Sequence, residues 1–322
     1  MNNTLLQVSN LKTYFFTRRG VVKAVDGVDF ELKRGECLCL VGESGCGKTV
    51  TALSILRLLD SPPGQIVDGQ AKYNNLDLIT CSSKQLRQIR GKEIAMVFQE
   101  AQSALNPIFT IGNQIIEQIK VHLPMEQRVA RDRAMSLLDE MGIPSVERVM
   151  NSYPHQLSGG MKQRAMIAMS LSCDPQILIA DEPTTAVDVT IKAQILDIFS
   201  ELKAKRQMSL IFITHDLGVV SEIGDKAVVI YGGKDIETAP VSEIIGNPKH
   251  PYTVGLIACL PDISQTTDRL AYIPGTTPNP VDLPYGCSFH PRCPKAMEIC
   301  SHQEPPQIIV SEKHKVSCHL YQ

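Results

Sequence analysis

The sequence lacks both a long apolar run and a recognisable export signal. No stretch approaches the ~20 apolar residues that a membrane-spanning helix needs. The first residues, Met1-Asn2-Asn3-Thr4, have neither the basic nor the apolar region of a signal peptide. We therefore expect the chain to stay in the cytosol and to meet a membrane only through a partner.

A surplus of charge of either sign is also missing. The chain has 32 basic and 34 acidic residues, which leaves a net charge of −2. A protein that binds nucleic acid or an anionic membrane through charge needs a basic surface, so neither partner is expected. The 322 residues, with 43% hydrophobic content, are enough for one large domain or two.

Disulfides are not expected, although the chain has ten cysteines, because the cytosol is reducing. Four cysteines lie after residue 286 and need a separate explanation. The following cysteines are scattered along the chain in a way that suits small buried side chains: Cys37, Cys39, Cys81, Cys173 and Cys259.

Residues 42–49, Gly-Glu-Ser-Gly-Cys-Gly-Lys-Thr, stand between an apolar strand and a helix. The glycines allow a tight turn with backbone N–H groups pointing inward. Lys48 supplies a charge for the β- and γ-phosphates, and Thr49 supplies a hydroxyl for Mg²⁺. The helix start adds its positive dipole end. A chance glycine-rich turn would not need this strand-to-helix context, so the stretch predicts a nucleotide site.

Residues 5–11 and 25–32 alternate apolar and polar side chains, which predicts a small antiparallel sheet ahead of this loop. The same region holds the aromatic residues Tyr14, Phe15 and Phe16. One of these rings could stack on an adenine base, or all three could simply belong to the core.

Polar residues follow three short apolar runs that read as buried strands. Gln99 follows the first run, and His215 follows the last. Asp181 and Glu182 follow the middle run, and one of them could hold Mg²⁺ while the other orients a water. The ends of parallel strands face the ligand crevice of an α/β protein. The alternatives are a structural histidine and an exposed acidic turn.

Between these strands the spacing of apolar residues over 113–150 predicts an inserted region of about two helices. Ser158-Gly159-Gly160 then opens an apolar helix that runs through Met169. A serine and paired glycines at a helix start form a second site suited to an anion.

The order of these motifs resembles that of the nucleotide-binding subunits of ATP-binding-cassette (ABC) transporters over nearly the whole chain. Residues 42–49 match the Walker A loop, 157–163 the signature segment and 185–188 the D-loop. Lys162 and Val187 depart from the commonest residues, but neither departure removes a phosphate or metal contact. The nucleotide-binding residues implied are Phe15, Gly42, Glu43, Ser44, Gly45, Cys46, Gly47, Lys48, Thr49, Val50, Gln99 and Asp181, with Tyr14 the weaker candidate for the adenine stack.

The resemblance also implies roles. Thr49, Gln99 and Asp181 would organise Mg²⁺, while Ser158, Gly159 and Gly160 would close over ATP bound to a partner subunit. The implied catalytic residues are Glu182, His215, Lys48 and Gln99. Hydrolysis in such a site depends mainly on positioning and charge stabilisation.

Several segments look like those of the oligopeptide/dipeptide/nickel importer ATPases, in particular the D-type subunit. They include residues 103–107, 153–157, 250–253 and 273–275. The resemblance implies four partners: a homologous second ATPase, two permeases and an extracytoplasmic solute-binding protein. It places the chain peripherally on the cytoplasmic face of the membrane.

The expected fold is an α/β P-loop NTPase of the ABC type. A RecA-like core sheet would be joined by the N-terminal antiparallel β subdomain and the inserted helical subdomain. We predict an ABC nucleotide-binding domain over residues 1–245, with the helical subdomain at about 100–165. A small cysteine-rich extension would follow over residues 246–322.

The four late cysteines, Cys287, Cys293, Cys300 and Cys318, lie in a proline-rich segment with little periodicity. Four thiolates suit either a [4Fe–4S] cluster or Zn²⁺. Structural zinc sites usually contain close cysteine pairs, which are missing here, and the resembled importer ATPases carry an iron–sulfur cluster in this tail. We therefore favour [4Fe–4S], with four reduced buried cysteines as the alternative. Nearby residues that could substitute as ligands are His290, His302, His314 and His319.

The resulting hypothesis is an ATPase subunit that powers import of dipeptides or oligopeptides. The same transporter class with nickel or another small solute as cargo is the first alternative. A soluble cassette ATPase acting on DNA or ribosomes, and an iron–sulfur redox sensor that uses ATP only as a structural ligand, are the others.

Overall fold

The computed structural model describes residues 3–185, 188–260 and 272–322. The chain divides into a first unit, Met1–Thr80 with Ile213–Gln322, and a second unit, Cys81–Phe212. No helix in the described part of the chain is both long enough and apolar enough to cross a bilayer.

Strands and helices alternate along much of the chain, as in other α/β proteins. The strands are β1 (Thr4–Thr17), β2 (Gly20–Lys33), β3 (Cys37–Val41), β4 (Gly64–Tyr73), β5 (Leu76–Asp77), β6 (Ile94–Val97), β7 (Ile177–Asp181), β8 (Ser209–Thr214), β9 (Lys226–Tyr231), β10 (Lys234–Pro240), β11 (Gln307–Ser311) and β12 (His314–Ser317). The helices are α1 (Lys48–Ile55), α2 (Ser83–Ile89), α3 (Ala101–Ala104), α4 (Ile111–His122), α5 (Gln127–Glu140), α6 (Val146–Met150), α7 (Gly159–Ser170), α8 (Val189–Arg206), α9 (Leu217–Ile223), α10 (Val241–Gly246) and α11 (Pro251–Ala258).

The first unit contains the predicted antiparallel sheet, with its strands in the order β2, β1, β4 and β5. The alternating pattern in β1 and β2 buries Leu6, Leu11 and Val25 completely. A second group of strands runs β11, β12, β10, β9 and β3, and β3 pairs with β9 in parallel. Because β3 is buried at every position, the loop that follows it starts from a fixed point.

In the second unit β6 and β7 pair in parallel, with Val97 opposite Ala180. The carboxyl ends of these strands therefore lie side by side. The predicted helical insertion is present as α4 and α5, followed by the short α6, which the periodicity did not separate. Thr110 caps α4, since its hydroxyl accepts a hydrogen bond from the N–H of Asn113 at 3.3 Å.

Candidate functional site

The phosphate loop, residues 42–49, has a backbone that requires glycine at two points. Gly42 has φ +154°, and a Cβ there would lie 2.3 Å from the carbonyl oxygen of Ile230. Gly47 has φ +109°, and its Cβ would lie 2.3 Å from the carbonyl oxygen of Ala24. Any side chain at either position would push the loop away from β9 or β2, so the chain's own packing sets the shape of the cradle.

Lys48 is buried at the start of α1. Its ammonium group donates hydrogen bonds to the carbonyl oxygens of Gly42 at 2.8 Å and Glu43 at 2.9 Å. The Sγ atom of Cys46 lies 3.8 Å from the same nitrogen, and burial raises the pKa of that thiol. The loop therefore carries a fixed positive charge and a neutral thiol, a combination that suits an anion.

The first turn of α1 presents the remaining predicted loop residues. Thr49 and Val50 are partly exposed there, and Ser44 and Gly45 are exposed in the loop itself. One turn further on, the hydroxyl of Ser54 is 2.7 Å from that of Thr13. This buried hydrogen bond joins the helix to β1, so the helix that follows the loop is anchored to the sheet.

The aromatic residues at the end of β1 differ in their surroundings. The hydroxyl of Tyr14 donates to a carboxylate oxygen of Asp26, and burial raises the pKa of Tyr14. Phe15 is half-buried and pairs with Gly64 on the neighbouring strand. The hydroxyl of Tyr14 is thus bound within the sheet, and Phe15 is the better placed of the two for stacking on an adenine base.

His215 follows β8 and is exposed. The turn beside it is held by Asp216, whose N–H donates to the hydroxyl of Thr214 at 3.0 Å. The carboxylate of Asp216 in turn accepts from the N–H of Gly218 at 2.8 Å, at the start of α9. This capping fixes the backbone on which the histidine stands.

In the second unit, the structure brings Gln99 and Glu182 together. The Nε2 group of Gln99 donates to Glu182 Oε2 at 3.2 Å, and the hydroxyl of Thr185 donates to the same oxygen at 3.0 Å. Asp181 and Glu182 are both buried at the end of β7. Glu182 also has φ +43°, a conformation that costs free energy outside glycine and often marks a functional residue.

The signature segment forms the start of α7. The hydroxyl of Ser158 accepts a hydrogen bond from the N–H of Met161 at 3.4 Å. Ser158 and Gly159 are exposed, and Gly160 packs near the side chain of Ile191. This helix start is therefore open to a ligand. Residues 186 and 187 of the predicted D-loop lie outside the described residues, while Asp188 caps α8 through the N–H of Ile191 at 2.9 Å.

The cysteine segment, residues 287–318, contains the four predicted ligands, of which Cys300 and Cys318 are buried and Cys287 and Cys293 are partly exposed. Burial, together with the charges of the other three cysteines, raises the pKa of Cys287 to about 11. Burial likewise raises the pKa of Cys293 and of Cys318. The N–H of Cys287 donates to the carbonyl of Cys300 at 2.8 Å. The sulfur donor set is chemically suited to a soft metal or an iron–sulfur cluster.

The arrangement of these side chains does not support the predicted cluster. Across residues 3–185, 188–260 and 272–322, no three Cys, His, Asp or Glu side chains are grouped so that they could hold a metal ion. Three of the nearby histidines have other contacts: His290 with the carbonyl of Cys287, His314 with Glu237, and His319 with the carbonyl of Gln303.

Two residues near the phosphate loop were missed by sequence reasoning. The guanidinium of Arg292 forms an ion pair with the carboxylate of Glu43 at 2.7 Å. The hydroxyl of Tyr252 accepts a hydrogen bond from the N–H of Glu43 at 2.9 Å. Both residues stand in the C-terminal segments that resemble the importer ATPases, but no spacing in the sequence pairs them with the loop.

Comparison with known proteins gives two family matches. Residues 25–185 match the model of the ABC transporter family. Residues 236–300 match the C-terminal region of oligopeptide/dipeptide transporters.

Curated relatives align along nearly the whole chain. The oligopeptide transport ATP-binding protein AppD of Bacillus subtilis is 48% identical over 320 residues, which are 99% of this chain and 98% of AppD. The dipeptide transport ATP-binding protein DppD of the same organism is 46% identical over 98% of this chain and 94% of its own length. A putative peptide import ATP-binding protein of Brucella melitensis is 50% identical over 94% of this chain and 90% of its own length.

Solved structures give the same fold. The dimeric post-hydrolysis state of the ATP-binding cassette MJ0796, bound to ADP and Pi, matches with a TM-score of 0.66 and 25% identity. The match covers 73% of this chain and 98% of MJ0796. The cbiO1 protein of Clostridium perfringens matches with a TM-score of 0.63 over 76% of this chain and 92% of its own. The predicted α/β cassette fold is confirmed.

Proposed function

Because the chain belongs to the ABC transporter family, we propose that it is the ATP-binding and ATP-hydrolysing subunit of an importer of dipeptides or oligopeptides. The observation that carries this proposal is the pair of family matches in one chain, the cassette followed by the oligopeptide/dipeptide C-terminal region. The relatives named for oligopeptide or dipeptide transport align along nearly the whole chain, which supports peptide over nickel as cargo.

The phosphate loop fits the triphosphate of ATP. A side chain at Gly42 or Gly47 would collide with neighbouring backbone, which leaves the loop's amides clear to approach phosphate oxygens. Lys48 supplies the charge for the β- and γ-phosphates. Phe15 is the residue that we assign to the adenine base.

The hydroxyl of Thr49, the amide of Gln99 and the carboxylate of Asp181 are the oxygen donors that would hold Mg²⁺. When bound, that ion neutralises phosphate charge as hydrolysis proceeds. Glu182 orients the attacking water and accepts its proton, while the amide of Gln99 and the hydroxyl of Thr185 hold the carboxylate in one orientation. His215 contacts the γ-phosphate.

The signature residues Ser158, Gly159 and Gly160 serve the nucleotide of a partner subunit. The exposure of Ser158 and Gly159 at the start of α7 supports this role, since the backbone N–H groups there can approach an anion. MJ0796, one of the structural relatives, is itself a dimer. The partner that we propose is a second homologous ATPase, so that binding of ATP closes the pair and hydrolysis releases it.

The remaining partners are two permeases and an extracytoplasmic solute-binding protein. The chain would lie peripherally on the cytoplasmic face of the membrane, held there by the permeases. We further propose that residues 1–245 form the nucleotide-binding domain, with a helical subdomain at about 100–165, and that residues 246–322 form the extension typical of peptide importers.

A [4Fe–4S] cluster on Cys287, Cys293, Cys300 and Cys318 remains a proposal, with Zn²⁺ as the alternative. It is supported by the donor set, since four cysteines in one segment suit a soft metal or an iron–sulfur cluster. The side-chain arrangement does not by itself support it. An anaerobic assay of iron and acid-labile sulfide on the purified complex decides between the cluster, zinc and free thiols.

The proposed function is tested by purifying the chain together with the proteins that bind it. We expect two polytopic membrane proteins and a second ATPase to co-purify with it, and ATP hydrolysis by the complex to rise with a peptide-loaded binding protein. Nickel in place of peptide serves as the matched control. Purification as a lone soluble ATPase, or association with DNA or ribosomes, would contradict the proposal.

A further inference from the structure

Arg292 and Glu43 form a two-pronged ion pair between the cysteine segment and the phosphate loop. Arg292 Nη1 lies 2.7 Å from Glu43 Oε2, and Arg292 Nη2 lies 3.0 Å from Glu43 Oε1. The arginine side chain is 5% exposed and the glutamate side chain 29% exposed. A planar fork on a carboxylate fixes both the charge and the orientation of the carboxylate, unlike a lysine at the same place.

The arginine is itself held by groups outside the loop. Its Nε atom donates to the carbonyl oxygen of Pro274 at 2.8 Å, and its Nη2 atom also reaches the carbonyl oxygen of Ile273 at 3.4 Å. Nη1 donates to the hydroxyl of Tyr231 at 3.3 Å. Because each guanidinium nitrogen has a partner outside Glu43, the position of Arg292 is set by Ile273, Pro274 and the end of β9, and the loop is fixed against it.

Glu43 is the point at which three constraints on the loop meet. Its N–H donates to the hydroxyl of Tyr252, and its carbonyl accepts from the ammonium of Lys48 at 2.9 Å. Its carboxylate is the third group, held by Arg292. A carboxylate without its cation in a loop that binds phosphates would repel the nucleotide, and partial burial would strengthen that repulsion.

We propose that Arg292 is a positioning residue for the phosphate loop, which neutralises the Glu43 carboxylate and holds it in place so that the loop can accept a nucleotide triphosphate. The inference rests on the proposed function in that the ligand is ATP. It assigns to the C-terminal segment a part in ATP binding that is separate from any metal on its cysteines.

The test is a titration of the full-length chain with a fluorescent ATP analogue in the presence of Mg²⁺. Arg292→Met is expected to weaken binding about tenfold, because the carboxylate of Glu43 is left unpaired beside the phosphates. Adding Glu43→Gln to that variant removes the charge, so affinity should return to within about threefold of the Glu43→Gln variant alone. Arg292→Lys keeps the charge but loses the fork, and should lie between wild type and Arg292→Met.

Arg133→Met is the matched control. It removes an arginine with the same kinds of partner, the carboxylate of Asp174 at 2.6 Å and the carbonyl of Ser172 at 2.7 Å, from the second unit. Its ATP affinity should equal that of wild type. Unfolding temperatures measured on every variant separate loss of fold from loss of binding, and Lys48→Ala defines the signal without specific binding.

Three results would overturn the inference. An unchanged affinity for the ATP analogue in Arg292→Met contradicts the inference and leaves the proposed function standing. A loss of affinity that Glu43→Gln fails to restore does the same, because it is the result expected of a purely structural arginine, which would not respond to the charge of Glu43. If Arg292→Met unfolds, the same comparison is made between Arg292→Lys and its Glu43→Gln double variant. A wild-type chain that binds no analogue overturns the proposed function, and this inference with it.

Discussion

The phosphate loop and the cysteine segment both belong to the first unit, and each holds several candidate functional residues. The loop is shaped by the chain itself: backbone contacts demand glycine at 42 and 47, and Arg292 holds Glu43 from outside. In the cysteine segment, burial raises the pKa of the Cys287, Cys293 and Cys318 thiols. Thiols must lose their protons before they can bind a metal.

The two sites therefore depend on their ligands in different ways. Backbone amides and a lysine need no change of protonation to receive a phosphate. Four buried or partly buried thiols gain from deprotonation only when a cation compensates the charge, so a metal there would contribute to folding as well as fill a site. We therefore expect removal of a metal from the cysteine segment to lower the stability of that segment and to leave the shape of the phosphate loop unchanged.

The largest effect should come from removing the chemistry while leaving the loop intact. In a complex whose partner site is disabled, Glu182→Gln is expected to lower steady ATP turnover about a thousandfold and to retain ATP binding, because the amide cannot accept a proton from the water. Turnover and nucleotide affinity are measured on the same preparation. Glu201→Gln, an exposed position on α8, is the matched control. Rapid hydrolysis by Glu182→Gln would contradict the assignment.

Most of the candidate site residues that follow strands are predicted from short patterns of neighbouring residues. Residues 42–49 predict a phosphate loop because glycine and lysine occupy fixed offsets between a strand and a helix. The capped helix start at Ser158 was likewise predictable from local residue types. Such features are encoded within a few neighbouring residues, which is why they can be seen without a structure.

The contacts that fix the loop could not be predicted, because they join residues far apart in the chain. Arg292 is 249 residues from Glu43, and Tyr252 is 209 residues from it. Pairing over such separations depends on the packing of whole elements. The contact of the Tyr14 hydroxyl with Asp26, which bears on the proposal of Phe15 for the adenine stack, could not be predicted either.

A second prediction tests how the cysteine segment is attached. Burial and the nearby charge of Asp29 raise the pKa of Asp235 to about 7, and Gln307 of the segment donates to its Oδ2 atom at 3.0 Å. The folded pKa is above the unfolded value, so this stability is fully present below about pH 4 and is lost as pH rises through about 7. The loss should be roughly 2 to 4 kcal/mol, on the order of a hundredfold in the folding equilibrium.

Asp235→Asn cannot take part in this titration. We expect its free energy of unfolding, measured with denaturant at pH 5 and at pH 8, to change less with pH than that of wild type. Asp60→Asn, an exposed carboxylate, is the control and should keep the wild-type slope. Equal pH dependence in wild type and Asp235→Asn would contradict the assigned role.

A third prediction concerns the metal. If the cysteine segment holds a [4Fe–4S] cluster, Cys300→Ser should lower both iron and acid-labile sulfide per chain by about tenfold, because a structural site rarely survives loss of a ligand. Cys173→Ser, a buried cysteine of the second unit, should leave both unchanged. Zinc without sulfide in wild type would establish the alternative. Neither metal nor sulfide, in protein prepared without oxygen, would contradict a metal site.

The smallest effect is expected from Tyr252→Phe. This change removes the hydroxyl that accepts the N–H of Glu43 and leaves the ring packed against Tyr231. ATP affinity should fall about threefold, in line with the modest net contribution of one hydrogen bond. Tyr321→Phe, which removes a hydroxyl bonded to the carbonyl of Lys249 at 3.0 Å, is the matched control. Equal affinities in the two variants would show that this contact does not hold the loop.

The most direct test of the proposed function is peptide uptake into proteoliposomes that contain the chain, its partner ATPase and the permeases, with the binding protein outside. We predict that uptake requires ATP within the compartment that contains the two ATPases, and that ATP hydrolysis there rises with a peptide-loaded binding protein. We also expect Glu182→Gln to abolish uptake in a complex whose partner site is disabled. Uptake without ATP, or ATP hydrolysis that does not respond to peptide, would contradict the proposed function.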